Sequence, residues 1–269
     1  MYKSNLFKDY VVLVTGGRSG IGFDIAKKFL SLGAIVFIAS RNEKLLIKAS
    51  KDLESFGKIY HKVCDIRNTN DISELSKMIS KKTGKLDILV NNAGGQFPAP
   101  ANLISENGWA AVINNNLNGT FYMCQNMAKT FFIPQNKGNI VNITANIIRG
   151  FPGMSHTGAA RAGVENLTKS LGQEWAENNI RVNAVAPGTI ASSGLENYPE
   201  MMKNLIKESE KKNLMGRFGS VEDVSNAVMF LASPLSSYIS GITIPVDGLE
   251  HLSGDRMELY KTILSFIKK

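Results

Sequence analysis

The feature that most narrows the possible folds of this 269-residue chain is a succession of apolar runs, each of strand length and none with polar alternation, separated by stretches of helical period. A strand that is apolar on both faces must be covered on both faces. A parallel sheet between two layers of helices does this, whereas an antiparallel sheet with one wet face does not. The runs predict strands at 10–15, 34–39, 59–64, 87–91, 138–144 and 181–186, with helices at 20–32, 43–56, 71–83, 114–132 and 155–177. Such alternation implies right-handed crossovers and a doubly wound parallel sheet, a Rossmann-type three-layer α/β single domain over 1–269. Two stretches stand apart from it. Residues 188–219, with Gly, Ser, Pro and a charged helix, read as a mobile substrate flap, and 250–269 as a C-terminal extension.

Composition then bounds the class. With 43% hydrophobic and 20% charged residues the chain reads as globular, and no apolar run reaches the roughly 18 residues of a membrane span. The formal net charge of +8 comes largely from lysines scattered over 44–85 and 203–212 without interleaved aromatics, which describes solvated helix faces and not a nucleic-acid surface. A positive field also concentrates small polyanions, so nucleotides and coenzyme A thioesters suit it better than DNA. Cys64 and Cys124 form no CxxC pair and read as reduced core residues, with no metal site implied. Residues 1–10 include Lys3, Lys8 and Asp9 and no apolar stretch, and the chain ends Phe-Ile-Lys-Lys, unlike a Ser-Lys-Leu address; a cytoplasmic location is expected.

Between the first strand and first helix lies Thr15-Gly-Gly-Arg-Ser-Gly-Ile-Gly22. Gly16, Gly20 and Gly22 allow the backbone to approach a pyrophosphate at a helix N-terminus, with Arg18, Ser19 and Ile21 completing the turn. About twenty residues further on, where an acidic side chain would accept from a ribose 2′-hydroxyl, the second strand ends in Ser40 and Arg41. Two guanidinium groups and no carboxylate predict NADP(H). Asp65 and Ile66, at the end of the third strand, are candidates for the adenine, Asp65 accepting from its amine.

The glycine spacing, the Asn91-Asn-Ala-Gly94 segment and the stretch His156-Thr-Gly-Ala-Ala-Arg161 together resemble the short-chain dehydrogenase/reductase family over about 10–248. Within it the chain is similar to peroxisomal trans-2-enoyl-CoA reductases and the neighbouring 2,4-dienoyl-CoA reductases, through Ile38-Ala-Ser-Arg41, Asn92-Ala-Gly-Gly-Gln-Phe97, Asn116-Leu-Asn-Gly-Thr-Phe-Tyr-Met-Cys124 and Glu196-Asn-Tyr198. The resemblance implies that Asn92, Ala93 and Gly94 back the adenosine ribose. It also implies that Pro187, Gly188, Ile190 and Ser192 meet the nicotinamide amide and pyrophosphate, that Asn116 holds a water, and that Thr144 bonds the substrate carbonyl oxygen. A dimer or tetramer built on the two long helices is implied as well.

The family normally carries Tyr-x-x-x-Lys where this chain has Thr157 and Arg161. A threonine hydroxyl is far too weak an acid to protonate an alkoxide, but it can donate a hydrogen bond to an oxyanion. Arg161 can position a cofactor ribose, yet its charge is not shed, so it relays no proton. This combination points to hydride addition to the β-carbon of an enoyl-CoA thioester, with charge collecting on the thioester oxygen near Thr144 and Thr157. Gln96, Phe97, His156 and Tyr198 are the substrate candidates, and His156, Tyr198 and a water held by Asn116 are the candidate proton sources. The 2,4-dienoyl enzymes carry a tyrosine where this chain has Asn146, which favours the 2-enoyl reading. A carbonyl or 3-ketoacyl reductase and a catalytically silent NADPH-binding protein are the alternatives.

Overall fold

The computed structural model describes residues 5–192, 210, 213–253 and 263–266. Strand β1 (Val11–Thr15) leads through a glycine turn to helix α1 (Gly20–Ser31), followed by β2 (Ile35–Ser40), α2 (Glu43–Leu53), β3 (Ile59–Val63), α3 (Thr69–Thr83) and β4 (Ile88–Asn91). A long helical run comes next, made of α4 (Glu106–Ile113), α5 (Gly119–Met127) and α6 (Ile133–Gln135), joined by π-helical turns at Asn114–Asn118 and Ala128–Phe132. Beyond it are β5 (Gly138–Ile143), α7 (Ser155–Glu174), β6 (Ile180–Pro187), the short strands β7 (Ile190–Ala191) and β8 (Gly219–Ser220), α8 (Val221–Ala232), β9 (Thr243–Val246) and α9 (Glu250–Ser253).

Seven strands form one parallel sheet in the order β3-β2-β1-β4-β5-β6-β9, and β7 pairs with β8 beside it. Successive side chains of a strand point to opposite faces, so each buried strand feeds two cores. Val12 and Val14 pack with Ile25, Phe29, Val224 and Val228 on one face, while Val11 and Leu13 pack with Leu75, Ile79, Met123 and Met127 on the other. The chain winds outward from β1 to β3 and then returns to lay β4 on the far side of β1. The resulting crevice at the carboxyl ends of β1 and β4 is where a doubly wound sheet takes a ligand.

Local chemistry sets the element ends. Asn42 caps α2 and Asn68 caps α3 by accepting backbone N–H groups, and Ser220 and Asp223 form a reciprocal capping box on α8. A buried polar chain fixes α7 on the sheet: Asn91 donates to Asn142 at 2.9 Å and Asn142 to the Thr168 hydroxyl at 3.0 Å. Cys124 lies in the same cluster, accepting from Asn91, and Cys64 is buried just past β3. Burial pushes both thiols up to about 12, which keeps them protonated core residues.

Three expectations need correction. The third strand is not buried on both faces: β3 is an edge strand with His61 and Val63 exposed, because β2 is its single neighbour in the sheet. The helix expected at 114–132 starts instead at Glu106, where the Ser105 side chain accepts from Gly108 N–H, and it is interrupted by the two π turns. Finally, residues 220–249, where the sequence suggests no element, hold α8 and β9. In β9 the proline of Thr-Ile-Pro-Val hides a strand signal, and an edge position is the one place a sheet tolerates it. No helix among the described residues is long and apolar enough to cross a membrane.

Candidate active site

The switch-point crevice is closed by one compact lock. Thr15 Oγ1 accepts the backbone N–H groups of Asn92 and Ala93, both at 3.0 Å, while Asn92 Nδ2 donates to the Thr15 carbonyl at 3.0 Å and the Gly16 carbonyl at 3.4 Å. Asn92 therefore props the glycine turn from below. This explains two of the glycines: a Cβ on Gly16 would lie 2.7 Å from Asn92 Nδ2, at a φ of 68°, and one on Gly22 would overlap Asn92 Nδ2 and the Gly16 carbonyl. Gly20 has a φ of 55°. Ser19 begins α1 in extended conformation without a side-chain cap, and the first turn of α1 has no acidic residue. The positive end of the helix is thus left to an outside anion. The cradle fits a dinucleotide pyrophosphate, and Ile21 lies in its first helical turn.

Around this turn, Arg18 is half-buried and Arg41 is exposed, with Ser40 half-buried at the end of β2. Asp65 is engaged: Arg67 Nε donates to its two oxygens at 2.9 and 3.1 Å, and Arg67 N–H to Oδ1 at 3.0 Å. These bonds, with the fields of Arg67 and Arg41, hold the carboxyl below the usual range. An adenine amine would share oxygens already used, a partner the sequence reading did not include. Ile66 is buried against Gly119, whose Cβ would lie 2.7 Å from Ile66 Cγ1.

Asn116, fully buried in the first π turn, uses its amide on the protein. It accepts Gly95 N–H at 3.1 Å and donates to the carbonyls of Gly95, at 2.7 Å, and Val112, at 3.1 Å; its own carbonyl accepts the Thr120 hydroxyl at 2.9 Å. Through these bonds the side chain fixes Gly95 in the loop after β4. Arg161 lies beside it on α7. Its Nη1 donates to the Ile143 carbonyl at 2.9 Å, its Nε is buried without a partner, and its Nη2 fills the space a Gly94 side chain would take. Burial lowers its pKa to about 10, so the guanidinium stays charged at neutral pH.

Thr157 is fully buried with its hydroxyl 3.4 Å from His156 Nδ1, and the same nitrogen accepts Thr157 N–H at 2.8 Å. The other ring nitrogen, Nε2, is buried without a partner, and the ring meets Phe97 edge-on, centroids 4.5 Å apart. Burial holds His156 below its ordinary value of 6.5. The Thr144 hydroxyl donates to the Val185 carbonyl at 3.2 Å, and Glu165, raised chiefly by burial, is a second neighbour of that hydroxyl. Gln96 and Phe97 are exposed at the mouth. Pro187, Gly188, Ile190 and Ser192 lie together after β6, Ile190 buried. Tyr198 lies outside the described residues, as do most of 188–219 and much of 250–269.

Asn146 donates to Asp247 at 2.8 Å, so the position at issue for a tyrosine is committed to a buried carboxylate. Asp247 and Glu250 were missed in the sequence, because the strand that places them, β9, is itself hidden by Pro245.

The comparisons agree with this geometry. A family described as enoyl-(acyl carrier protein) reductase matches residues 16–248. A probable 2,4-dienoyl-CoA reductase of Bacillus subtilis is 38% identical over 246 residues, 90% of this chain and 96% of the relative. A 3-oxoacyl-(acyl-carrier-protein) reductase of Thermotoga maritima is 38% identical over 242 residues, 88% of this chain and 96% of the relative. The solved short-chain dehydrogenase of Bacillus anthracis superposes with a TM-score of 0.84 at 39% identity, covering 93% of this chain and 99% of that one. The chain belongs to the short-chain dehydrogenase/reductase family. It is an oxidoreductase that works with a nicotinamide cofactor.

The buried imidazole gives a pH test. Unfolded His156 takes up a proton near 6.5 and the folded ring only at lower pH, so between the two the unfolded state binds more protons. Stability from this residue is complete above about pH 6.5 and is lost as pH falls through the folded value. In urea titrations the unaltered protein should lose more stability than His156→Gln between pH 6.5 and 5. Equal slopes would show that the ring is already charged or solvated in the fold.

Proposed function

We propose that the protein is an NADPH-dependent reductase of the 2,3 double bond of enoyl-CoA thioesters, acting in fatty acid metabolism in the cytoplasm. The observation that carries the reading is the pair at 157 and 161. A buried threonine and a carbonyl-anchored arginine leave no phenol or amine to protonate an alkoxide, but they leave hydrogen-bond donors for an oxyanion. The names of the B. subtilis relative, a dienoyl-CoA reductase, and of the family, an enoyl-(acyl carrier protein) reductase, support the coarser class of unsaturated acyl thioesters.

In this reading the glycine turn and the N-terminus of α1 hold the pyrophosphate, Arg18, Ser40 and Arg41 the 2′-phosphate, and Asp65 and Ile66 the adenine. Asn92, Ala93 and Gly94 lie against the adenosine ribose, Arg161 against the nicotinamide ribose, and Pro187, Gly188, Ile190 and Ser192 against the nicotinamide. When bound, the cofactor supplies a hydride. The Thr144 and Thr157 hydroxyls stabilise the thioester oxygen as charge collects there; their present contacts, at 3.2 and 3.4 Å, are weak enough to give way to an anion. The unpaired His156 Nε2 and the Phe97 ring face the substrate, and Asn116 holds Gly95 in the loop after β4. A 3-ketoacyl reductase is the second reading, favoured by the T. maritima relative.

Replacing Arg41 with Asp should remove a 2′-phosphate partner and add repulsion. NADPH binding should weaken and preference should shift toward NADH, read by fluorescence titration. Equal affinity of the unaltered protein for both cofactors would refute the assignment of Ser40 and Arg41.

The reaction is separable by substrate. NADPH consumption should appear with 2-enoyl-CoA and exceed that with dienoyl-CoA or 3-ketoacyl-CoA. Thr144→Ala should lower kcat for enoyl reduction by roughly 10²-fold, the usual scale for one oxyanion donor. The Thr157→Tyr, Arg161→Lys double variant should not speed enoyl reduction, although ketone reduction can emerge in it. A fast ketoreductase in the unaltered protein would overturn the enoyl reading, and NADPH binding without turnover of any of these thioesters would leave a silent binder.

The same reading includes a homo-oligomer, a dimer or tetramer, seated on the α4–α6 run and α7. Trp109 and Ile133 are 44% and 40% exposed on the first, and α7 turns the small residues Ala159 and Ala162 outward. Sedimentation at micromolar concentration should show the oligomer; monomer alone would refute the seam.

A further inference from the structure

The polar groups that the proposed reaction leaves unused converge where β9 ends. Asp247, 8% exposed, accepts from Asn146 Nδ2 at 2.8 Å, from Leu249 N–H at 3.2 Å and from His251 N–H at 2.8 Å. This fastens the 247–252 segment to the loop after β5. Glu250 fastens the same segment to a different loop. Its Oε2 accepts Thr189 N–H at 2.8 Å and its Oε1 accepts the Thr189 hydroxyl at 2.6 Å. One carboxylate thus takes both donors of one residue, which fixes that residue's backbone and side chain together.

The neighbouring glycine belongs to this contact. A Cβ on Gly188 would overlap Glu250 Oε2 and lie 2.7 Å from Asp247 Cβ, so the position is bare where two acidic side chains close on it. Gly188 N–H is bonded to the Val246 carbonyl at 3.0 Å, and the Thr189 carbonyl accepts Gly219 N–H at 3.0 Å. Thr189 also leads directly into β7, whose Ile190 pairs with Gly219 of β8. Every exit of the 187–190 backbone is therefore tied, and Glu250 is the acidic side chain that ties it.

We propose that Glu250 is a positioning residue for the cofactor: acting through Thr189, it holds the 187–192 loop in the shape that receives the nicotinamide end. This rests on the reading of that loop as the nicotinamide contact. Glu250 itself does not touch the reacting atoms. Its effect is expected in cofactor affinity and KM more than in kcat, and most strongly for ligands that carry the nicotinamide as well as the pyrophosphate.

The test measures dissociation constants of the full-length chain by fluorescence for NADPH and for 2′-phospho-ADP-ribose, which lacks the nicotinamide, together with KM and kcat. Glu250→Ala should raise the NADPH Kd and KM by about tenfold, the scale of a charge-assisted pair of bonds, and weaken 2′-phospho-ADP-ribose, which keeps only the pyrophosphate contact, by much less. Glu250→Gln keeps an acceptor oxygen and should lose less, and Thr189→Val should lose an intermediate amount. Ser192→Ala probes the loop independently of Glu250. If Ser192→Ala weakens NADPH while Glu250→Ala does not, the positioning role fails and the loop reading stands. If neither changes NADPH binding, the loop reading itself fails. An equal loss of both ligands in Glu250→Ala and Glu250→Gln would mean that the carboxylate merely supports the fold, and this too would overturn the proposal.

Discussion

The site depends first on the four hydrogen bonds between the Thr15-Gly16 pair and the Asn92-Ala93 pair. They join the carboxyl ends of β1 and β4, the two strands that neighbour each other only because the chain reverses its winding. Without them the crevice of the sheet would be two independent loops. With them the glycine turn has a rigid floor, and the floor is so close that two positions above it cannot carry a side chain. The same geometry leaves the first turn of α1 without a side-chain cap. Backbone N–H groups there keep their hydrogen-bonding capacity for a phosphate.

A buried cation governs the other half of the site. Removing a guanidinium from water is costly unless its protons find acceptors. Arg161 has one, the Ile143 carbonyl, and a buried Nε without any. Its retained charge lies directly against Gly94 and Asn116, with Nη2 in the space a Gly94 side chain would take. Such an arrangement is more stable with an oxygen-rich ligand alongside than without one. A lysine at this place could yield its proton; a guanidinium with a pKa of about 10 keeps its own near neutrality. That difference is what separates an oxyanion-stabilising site from a proton relay.

Much of this was legible in the sequence, for identifiable reasons. Unbroken apolar runs gave away β1, β2, β4, β5 and β6, because central parallel strands have no polar face to confuse the period. The glycine turn was legible because close backbone approach is carried by residue type alone. The edges were harder. β3 was legible as a strand but not as an edge with an exposed face, and β9, which contains Pro245, was not legible at all. Contacts between distant segments were also invisible: nothing in the spacing of Asn146 and Asp247, or of Thr189 and Glu250, marks them as partners. The π turn at Asn114–Asn118 could not be seen either, since it adds a residue to a helix without any breaker to announce it.

The bare position at Gly188 restricts how such a chain can change over generations. While Glu250 and Asp247 occupy their places, any side chain at 188 collides with both. A replacement there becomes tolerable only after Glu250 has shortened and the backbone at Asp247 has drawn back, whereas the reverse order passes through a poorly folding intermediate. Drift in this part of the protein is therefore directional: the end of the chain must vary before the loop it grips can follow.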